Sequence, residues 1–328
     1  MTRTDEIFLA LDYGGTKLSA AIARRGEREW LAIDRHMSRR EKDARYEQAE
    51  MLALAHKLLG DRKPAAIGVS FGGPVDAAHG RVILSHHVPG WEDTPLRAQL
   101  QSEFGAPASV DNDANVAALG EYTFGAGLVE TFAKRVTSLL YVTVSTGVGG
   151  GWVIGGKIWN GADAMAGEIG HTIADRNGPL CVCGRHGCVE IMASGTAIAN
   201  RAKELLKENP GKGKELRELC GNQIDQVTGA MVAQTANSGD ELAQQVMDDA
   251  ARALGFGIGT AITLMNPERV VLGGGITKSG ERWWSVVRES ARSNTLPQHR
   301  INIIPAAFSD DAPLWGAIAL AESVIKNQ

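Results

Sequence analysis

The sequence predicts an α/β protein of two domains, and three observations predict it. Apolar runs of strand length alternate with helix-patterned stretches along the whole chain. The runs end repeatedly on glycine-rich turns or on carboxylates. A chain of 328 residues, 44% hydrophobic and 22% charged, can bury more than one core of ordinary size.

Each element follows in order. IFLAL (7–11) is a strand ending on Asp12, and YGGT turns the chain into a second strand, KLSAAIA. AAIGVS (65–70) is a buried strand that enters FGGPVD, where Gly72, Gly73 and Pro74 force a turn. PASVDND (107–113) is a strand, and ANVAALGEY after it has helical spacing, so the acidic cluster stands where a strand becomes a helix. LLYVTVS (139–145) runs into TGVGGG and a returning strand, WVIGGKIW, with a Gly155-Gly156 turn inside it. That stretch parallels LALDYGGTKLSAAIA and points to two structurally related halves. SGTAIANRAKELLKE (194–208) is a helix marked at both ends, and residues 240–265 form a longer one with Gly255, Gly257 and Gly259 thinning one face. RVVLGGGI (269–276) is a strand breaking on three glycines, and WGAIALAESVI is a final apolar helix.

A formal net charge of −4 argues against a surface that neutralises phosphate backbones, so nucleic acid is not an expected partner. The opening MTRTDEIFLALD has no basic-then-apolar leader, and no apolar run is long enough to cross a bilayer. The expectation is a cytoplasmic protein that does not engage membranes. A reducing compartment disfavours disulfides, and three of the four cysteines crowd into LCVCGRHGC (180–188) while Cys220 stands apart.

Metal is the better reading of that loop. Cys181, Cys183 and Cys188 supply three thiolates at metal-ligand spacing, and a histidine would complete a tetrahedral structural zinc site. On spacing alone His171 and His186 compete for the fourth place. Glu168 and Glu190 flank the loop, so an imidazole that gives one nitrogen to the metal could present the other to a polar ligand.

Three glycine turns follow strands: YGGTK (13–17), STGVGGG (145–151) and LGGGI (272–276). Backbone N–H groups in such turns can surround phosphate oxygens. Taken one by one they read as tight hairpins; three together, two with threonine hydroxyls, point to a nucleotide. The P-loop pattern is nearly met by GWVIGGKI, but Ile158 stands where a hydroxyl is required, and no dinucleotide fingerprint occurs in a strand-to-helix setting. Asp12, directly before its glycines, could reach a divalent ion on the phosphates or simply cap the turn. VDNDAN (110–115) could supply a general base and a hydroxyl ligand, or an ordinary helix N-cap.

Together these motifs resemble the ROK family, the group of repressors, open reading frames and sugar kinases. The likeness covers nearly the whole chain: LDYGGTK, FGGPVD, PGW (89–91), VDNDANVAALGE, STGVGGG, AGEIGH, CVCGRHGCVE, VVLGGGI and WGAIALA. It implies an actin-like, ribonuclease H-like ATPase fold of two α/β domains around a central cleft. The domains are expected over 1–117 plus 316–328 and over 118–315, the second carrying the cysteine loop. It also implies ATP-dependent phosphorylation of a hexose at the 6-hydroxyl, with Mg2+, a structural Zn2+ and a homodimer.

Carried over residue by residue, the resemblance makes Asp113 the general base. It sets Asn112, Glu168, His171, Glu190 and Gly73 beside Asp113 on the sugar. His171, Cys181, Cys183 and Cys188 match the zinc ligands, which decides against His186. Asp12, Gly14, Gly15, Thr16 and Lys17 match the first phosphate motif, Thr146 and Gly147 the second, and Gly274 and Gly275 fall near the adenosine. His86 and His87 replace an Asn-rich lead-in, and Asp163 and Met165 stand where small residues are common, which leaves the choice of hexose open. Glucose is the default, with mannose, fructose, allose, N-acetylmannosamine and N-acetylglucosamine as alternatives, and polyphosphate as an alternative donor. A sugar-responsive repressor is disfavoured by Asp12 and Asp113 and by a phosphate strand that starts at Ile7.

Overall fold

The structure is a computed structural model that describes residues 6–39, 41–85, 87–129 and 134–326, so His86 lies outside the described residues. The chain packs as two compact units. Unit 1 is Met1–Leu139, Gly151–Ala166 and Ala306–Gln328, and unit 2 is Leu140–Gly150 and Gly167–Pro305. The expected boundaries after residues 117 and 315 would cut the helices Asp113–Phe124 and Ala312–Lys326. Both helices are instead kept whole in unit 1, which the chain re-enters twice.

Unit 1 holds a five-stranded sheet in the order Trp30–Met37, Lys17–Arg24, Ile7–Tyr13, Ala66–Phe71, Ala108–Asn112. The first three strands are antiparallel neighbours, and the last three run parallel. Parallel strands are buried on both faces and read as continuous apolar runs; every residue of Ala66–Phe71 is buried. The helix Ala312–Lys326 lies so close that a Cβ on Gly68 would overlap the Ala317 carbonyl. Tyr13, Phe71 and Trp91 form an aromatic cluster, and Trp91 donates its indole N–H to the buried Glu47 (2.9 Å).

The second five-stranded sheet lies mainly in unit 2, in the order Lys157–Ile158, Val148–Ile154, Ser138–Val144, Arg269–Gly273, Ile303–Pro305. Numbered along the chain, both sheets read third, second, first, fourth, fifth. The two related halves expected from sequence are therefore present as a repeated topology. The Gly155-Gly156 turn takes positive φ at both residues (58° and 82°), as a two-residue hairpin of this hand requires.

The long helices of unit 2 fall where the sequence marks them. Gly195–Glu208 starts on Ser194, whose hydroxyl accepts from the Ala197 N–H, and Glu241–Met265 starts on Asp240, whose carboxylate accepts from Ala243. The glycines of the second helix do not thin one face. Gly255 and Gly259, one turn apart, meet the helix Glu281–Ser293, whereas Gly257 faces Val189 and Thr172 on the other side. Among the described residues no helix is long and apolar enough to cross a membrane.

Candidate active site and metal centre

The acidic positions of unit 1 converge through strand register. Asp12 pairs with Ser70 and Ser70 with Asp111 across three parallel strands, and the next row is Tyr13, Phe71, Asn112. The carboxyl ends of parallel strands are where ligands of open α/β sheets bind. Asp113 comes one residue further, as the first residue of the helix Asp113–Phe124. Asn112 caps that helix: its Oδ1 accepts from the Ala114 N–H (3.0 Å) while its Nδ2 donates to the Gly73 carbonyl (3.1 Å). Gly73 and Asn112 therefore meet. Of the two readings of DNDAN, the N-cap is the one observed, at Asn112.

Asp12 is buried, and its Oδ1 accepts from the Ser70 hydroxyl at 2.7 Å. Burial pushes its carboxyl up to about 7, with the Asp113 charge adding to the shift and Ser70, Lys17 and Arg35 opposing it. The glycine turn stands directly over this pair. A Cβ on Gly14 would lie 3.7 Å from Asp12 Oδ2, and one on Gly72 would lie 3.7 Å from Asp113 Oδ2 and 3.6 Å from the Gly15 nitrogen. Thr16 is exposed, Lys17 is half-buried, and the His87 ring packs against Gly15.

In unit 2 the metal-ligand candidates form one cluster. One donor atom from each of His171, Cys181, Cys183 and Cys188 lies within 4.8 Å of the others. Cys181 Sγ is 3.8 Å from His171 Nδ1, and Cys183 Sγ is 3.5 Å from Cys188 Sγ. Zinc–sulfur bonds of 2.3 Å at tetrahedral angles set ligand atoms about 3.8 Å apart, so the donor set fits a structural zinc ion. The Arg185 backbone N–H, and then its side chain, pull the Cys183 thiol down to about 6, whereas burial pushes Cys188 up to about 12. A cation would displace the remaining thiol protons on binding. His186 faces elsewhere, towards the Gly178 carbonyl at 3.0 Å.

His171 shows its two nitrogens to different neighbours. Nδ1 faces the thiols, while Nε2 is 4.0 Å from Glu168 Oε2. Glu190, on the short helix Val189–Ala193, accepts from the Val148 N–H at 3.0 Å. A Cβ on Gly147 would lie 2.7 Å from that same carboxylate, so a side chain there would push Glu190 aside. Glu190 thus joins the cysteine loop to the second glycine turn.

That turn opens on a cavity of about 820 Å3. Thr146 and Gly275 both line it, together with Gly195, Thr196, Asn200 and Lys203. The Gly195 N–H donates to the Ser145 carbonyl, and Thr196 Oγ1 to the Thr146 carbonyl. Gly274 takes φ 90° with its α-carbon against the Val144 backbone, where any side chain would overlap main chain. Gly275 has open space beside it. A further cavity of about 950 Å3 between the helices of unit 2 touches none of the candidate residues.

Sequence reasoning missed Thr196, Asn200 and Lys203. Their helix was recognised, and a helix N-terminus beside a glycine turn is the signal that could have placed them at an anion site. It also missed Asn160, whose amide Nδ2 lies 3.4 Å from the buried Asp111 carboxylate.

The repeated five-stranded sheets define a mixed α/β protein of the actin-like ATPase fold. The chain belongs to the ROK family, whose sequence pattern matches residues 8–324. It is 38% identical over 250 residues to a glucokinase of Halalkalibacterium halodurans, covering 75% of this chain and 73% of that one. A xylose repressor of Caldicellulosiruptor bescii is 31% identical over 259 residues, or 78% of this chain, which spans only 62% of the repressor's length. The ROK family glucokinase from Streptomyces griseus, solved in complex with glucose and AMPPNP, superposes with a TM-score of 0.82 at 29% identity over 97% of this chain and 99% of that one.

Proposed function

We propose that this protein transfers the γ-phosphoryl group of ATP to the 6-hydroxyl of a hexose, with glucose as the first candidate. The observation that carries the reading is the pairing, at one strand end of unit 1, of Asp12 and Asp113 beneath the glycine turns of residues 14–15 and 72–73. The likeness to two glucokinases supports it.

Asp113 is the general base. It accepts the proton of the attacking hydroxyl while a new oxygen–phosphorus bond forms and the bond from the γ-phosphorus to ADP breaks. Asn112, held between the helix start and Gly73, orients a second hydroxyl; Glu168, His171 and Glu190 bind the remaining ones. Gly14, Gly15, Thr16 and Lys17 bind phosphate, as do Thr146 and Gly147. Gly274 and Gly275 border the adenosine, whose cavity Thr196 and Lys203 complete. Asp12 would hold magnesium, which when bound supplies charge neutralisation on the phosphates. His171, Cys181, Cys183 and Cys188 would hold zinc in a structural role. The protein acts in the cytoplasm, as a homodimer.

The second reading, a sugar-responsive repressor, is favoured by the likeness to the xylose repressor. A coupled assay of ADP release over a panel of hexoses separates the two. The kinase reading expects ATP-dependent turnover with one preferred hexose; sugar binding with no ADP release would overturn it. Replacing ATP by polyphosphate in the same assay settles the donor.

A further inference from the structure

Asp111 takes no part in the chemistry above, yet its carboxylate is engaged on both oxygens at the strand end. It is 5% exposed. Its oxygens accept from the Asn112 N–H (2.7 Å), from Asn115 Nδ2 (3.1 Å) and from Asn160 Nδ2 (3.4 Å). Asn115 also donates to Asn160 Oδ1 at 3.2 Å, which closes a ring of three side chains.

The ring has one orientation. Turning the Asn115 amide over would set its oxygen against the Asp111 carboxylate, so both its N–H groups stay committed to the ring. Its Oδ1 is buried with no partner among the described residues as a result. A buried acceptor left unpaired is costly, and here it accompanies two donated bonds, one of them to a charged acceptor.

The ring joins two pieces of chain far apart in sequence. Asp111 directly precedes Asn112 and Asp113. Asn160 opens a loop closed by a bond from the Ala166 N–H to its own carbonyl (3.1 Å). That loop presents Asp163 and Met165 to solvent, Met165 with 60% of its surface exposed. Glu168 follows two residues after the loop closes. Asn160 therefore touches the strand that leads into the base and opens the loop that ends two residues before Glu168.

We propose that Asn160 is a positioning residue for the sugar, acting through Asp111 and Asn115 to hold the 160–166 loop against the strand end at Asn112 and Asp113. This rests on the kinase reading, in which Asn112 and Asp113 face the hexose. The test is steady-state kinetics of the full chain with hexose and ATP varied in turn. Asn160→Ala is expected to raise the hexose KM about tenfold, the size of one hydrogen bond to a charged group, and to leave the ATP KM within about twofold. Asn160→Asp, which sets a second carboxylate against Asp111, is expected to be worse than Asn160→Ala. The exchange Asp111→Asn with Asn160→Asp restores a donor opposite an acceptor and should return the hexose KM towards wild type. A merely structural role would lower the thermal midpoint without separating the two KM values.

An unchanged hexose KM in Asn160→Ala, or an exchange variant no better than Asn160→Asp, overturns the proposal while the wild type remains an active kinase. If Asn160→Ala is too unstable to assay, Asn160→Ser carries the same expectation. A wild type that phosphorylates no hexose overturns the kinase reading and this proposal with it.

Discussion

The two sheets thread their strands in one order and end in opposite chemistry. In unit 1 the parallel strand ends carry Asp12, Ser70 and Asp111 in register, with Asp113 two residues beyond Asp111. In unit 2 the corresponding ends give way to Ser145, Thr146 and Gly147 and to Gly274 and Gly275, which are uncharged. The insertions differ as well. Between its third and fourth strands the first sheet has one helix, Ala44–Leu59, whereas the second has residues 159–268, which include the cysteine cluster and both long helices. The repeated scaffold thus carries carboxylates at the strand ends of one half and small, uncharged residues at those of the other; on the proposed function the first serves acid–base chemistry and the second backbone contact with phosphate. That division can be attacked residue by residue.

The largest effect is expected at Asp113. Asp113→Asn should lower turnover by about 10³-fold, within the usual range for a lost general base, while the sugar affinity measured by calorimetry stays near wild type. Equal turnover in that variant would remove the acid–base role from unit 1. Next comes the cysteine cluster. Cys183→Ser, or removal of metal by a chelator, should lower the thermal midpoint by at least about 5 °C and weaken sugar binding before nucleotide binding. Bound zinc is to be counted directly by elemental analysis, with one ion per chain expected. A metal-free wild type with unchanged sugar affinity would detach the cluster from the site.

A more local effect is expected in the cavity of unit 2. Gly275 has open space beside it, so Gly275→Leu should fold normally and raise the ATP KM about tenfold, the hexose KM being unaffected. The reverse pattern would assign that cavity to the sugar.

The smallest effect is on pH dependence. The Asp12 carboxyl is lifted from 3.8 to about 7, so between those values the folded chain holds a proton that the unfolded chain releases. Stability of the ligand-free protein should therefore decline as pH rises across that window. Asp12→Asn abolishes this contribution, and its thermal midpoint should gain on wild type from pH 5 to pH 8. A constant difference across that range would show that Asp12 is not held protonated.

Much of this arrangement was legible before any coordinates, and the parts that were not share a cause. Asp12, the DNDAN strand end, the three glycine turns and the cysteine spacing are local signals, each contained in a short stretch whose residue types fix its geometry. The two-residue hairpin at Gly155-Gly156 and the caps at Ser194 and Asp240 were legible for the same reason. Asn160 was not, because its partners Asp111 and Asn115 lie 49 and 45 residues away and an isolated asparagine carries no periodic or turn signature. The expected domains already had the chain return to the first one at its end; the further return over Gly151–Ala166 has no compositional mark in the sequence. The glycines of Glu241–Met265 were assigned to one face because a cluster of small residues looks like a stripe, although Gly257, two positions from each neighbour, lies on the opposite side.

The interleaving of the two units has a practical side. The chain crosses between them after residues 139, 150, 166 and 305. No single cut releases either half as a continuous polypeptide, so truncation cannot isolate either unit. Anyone wishing to study one half alone would have to splice three pieces for unit 1 or two for unit 2 into a new open reading frame, and a fusion partner or tag is safest in an exposed loop within a single piece.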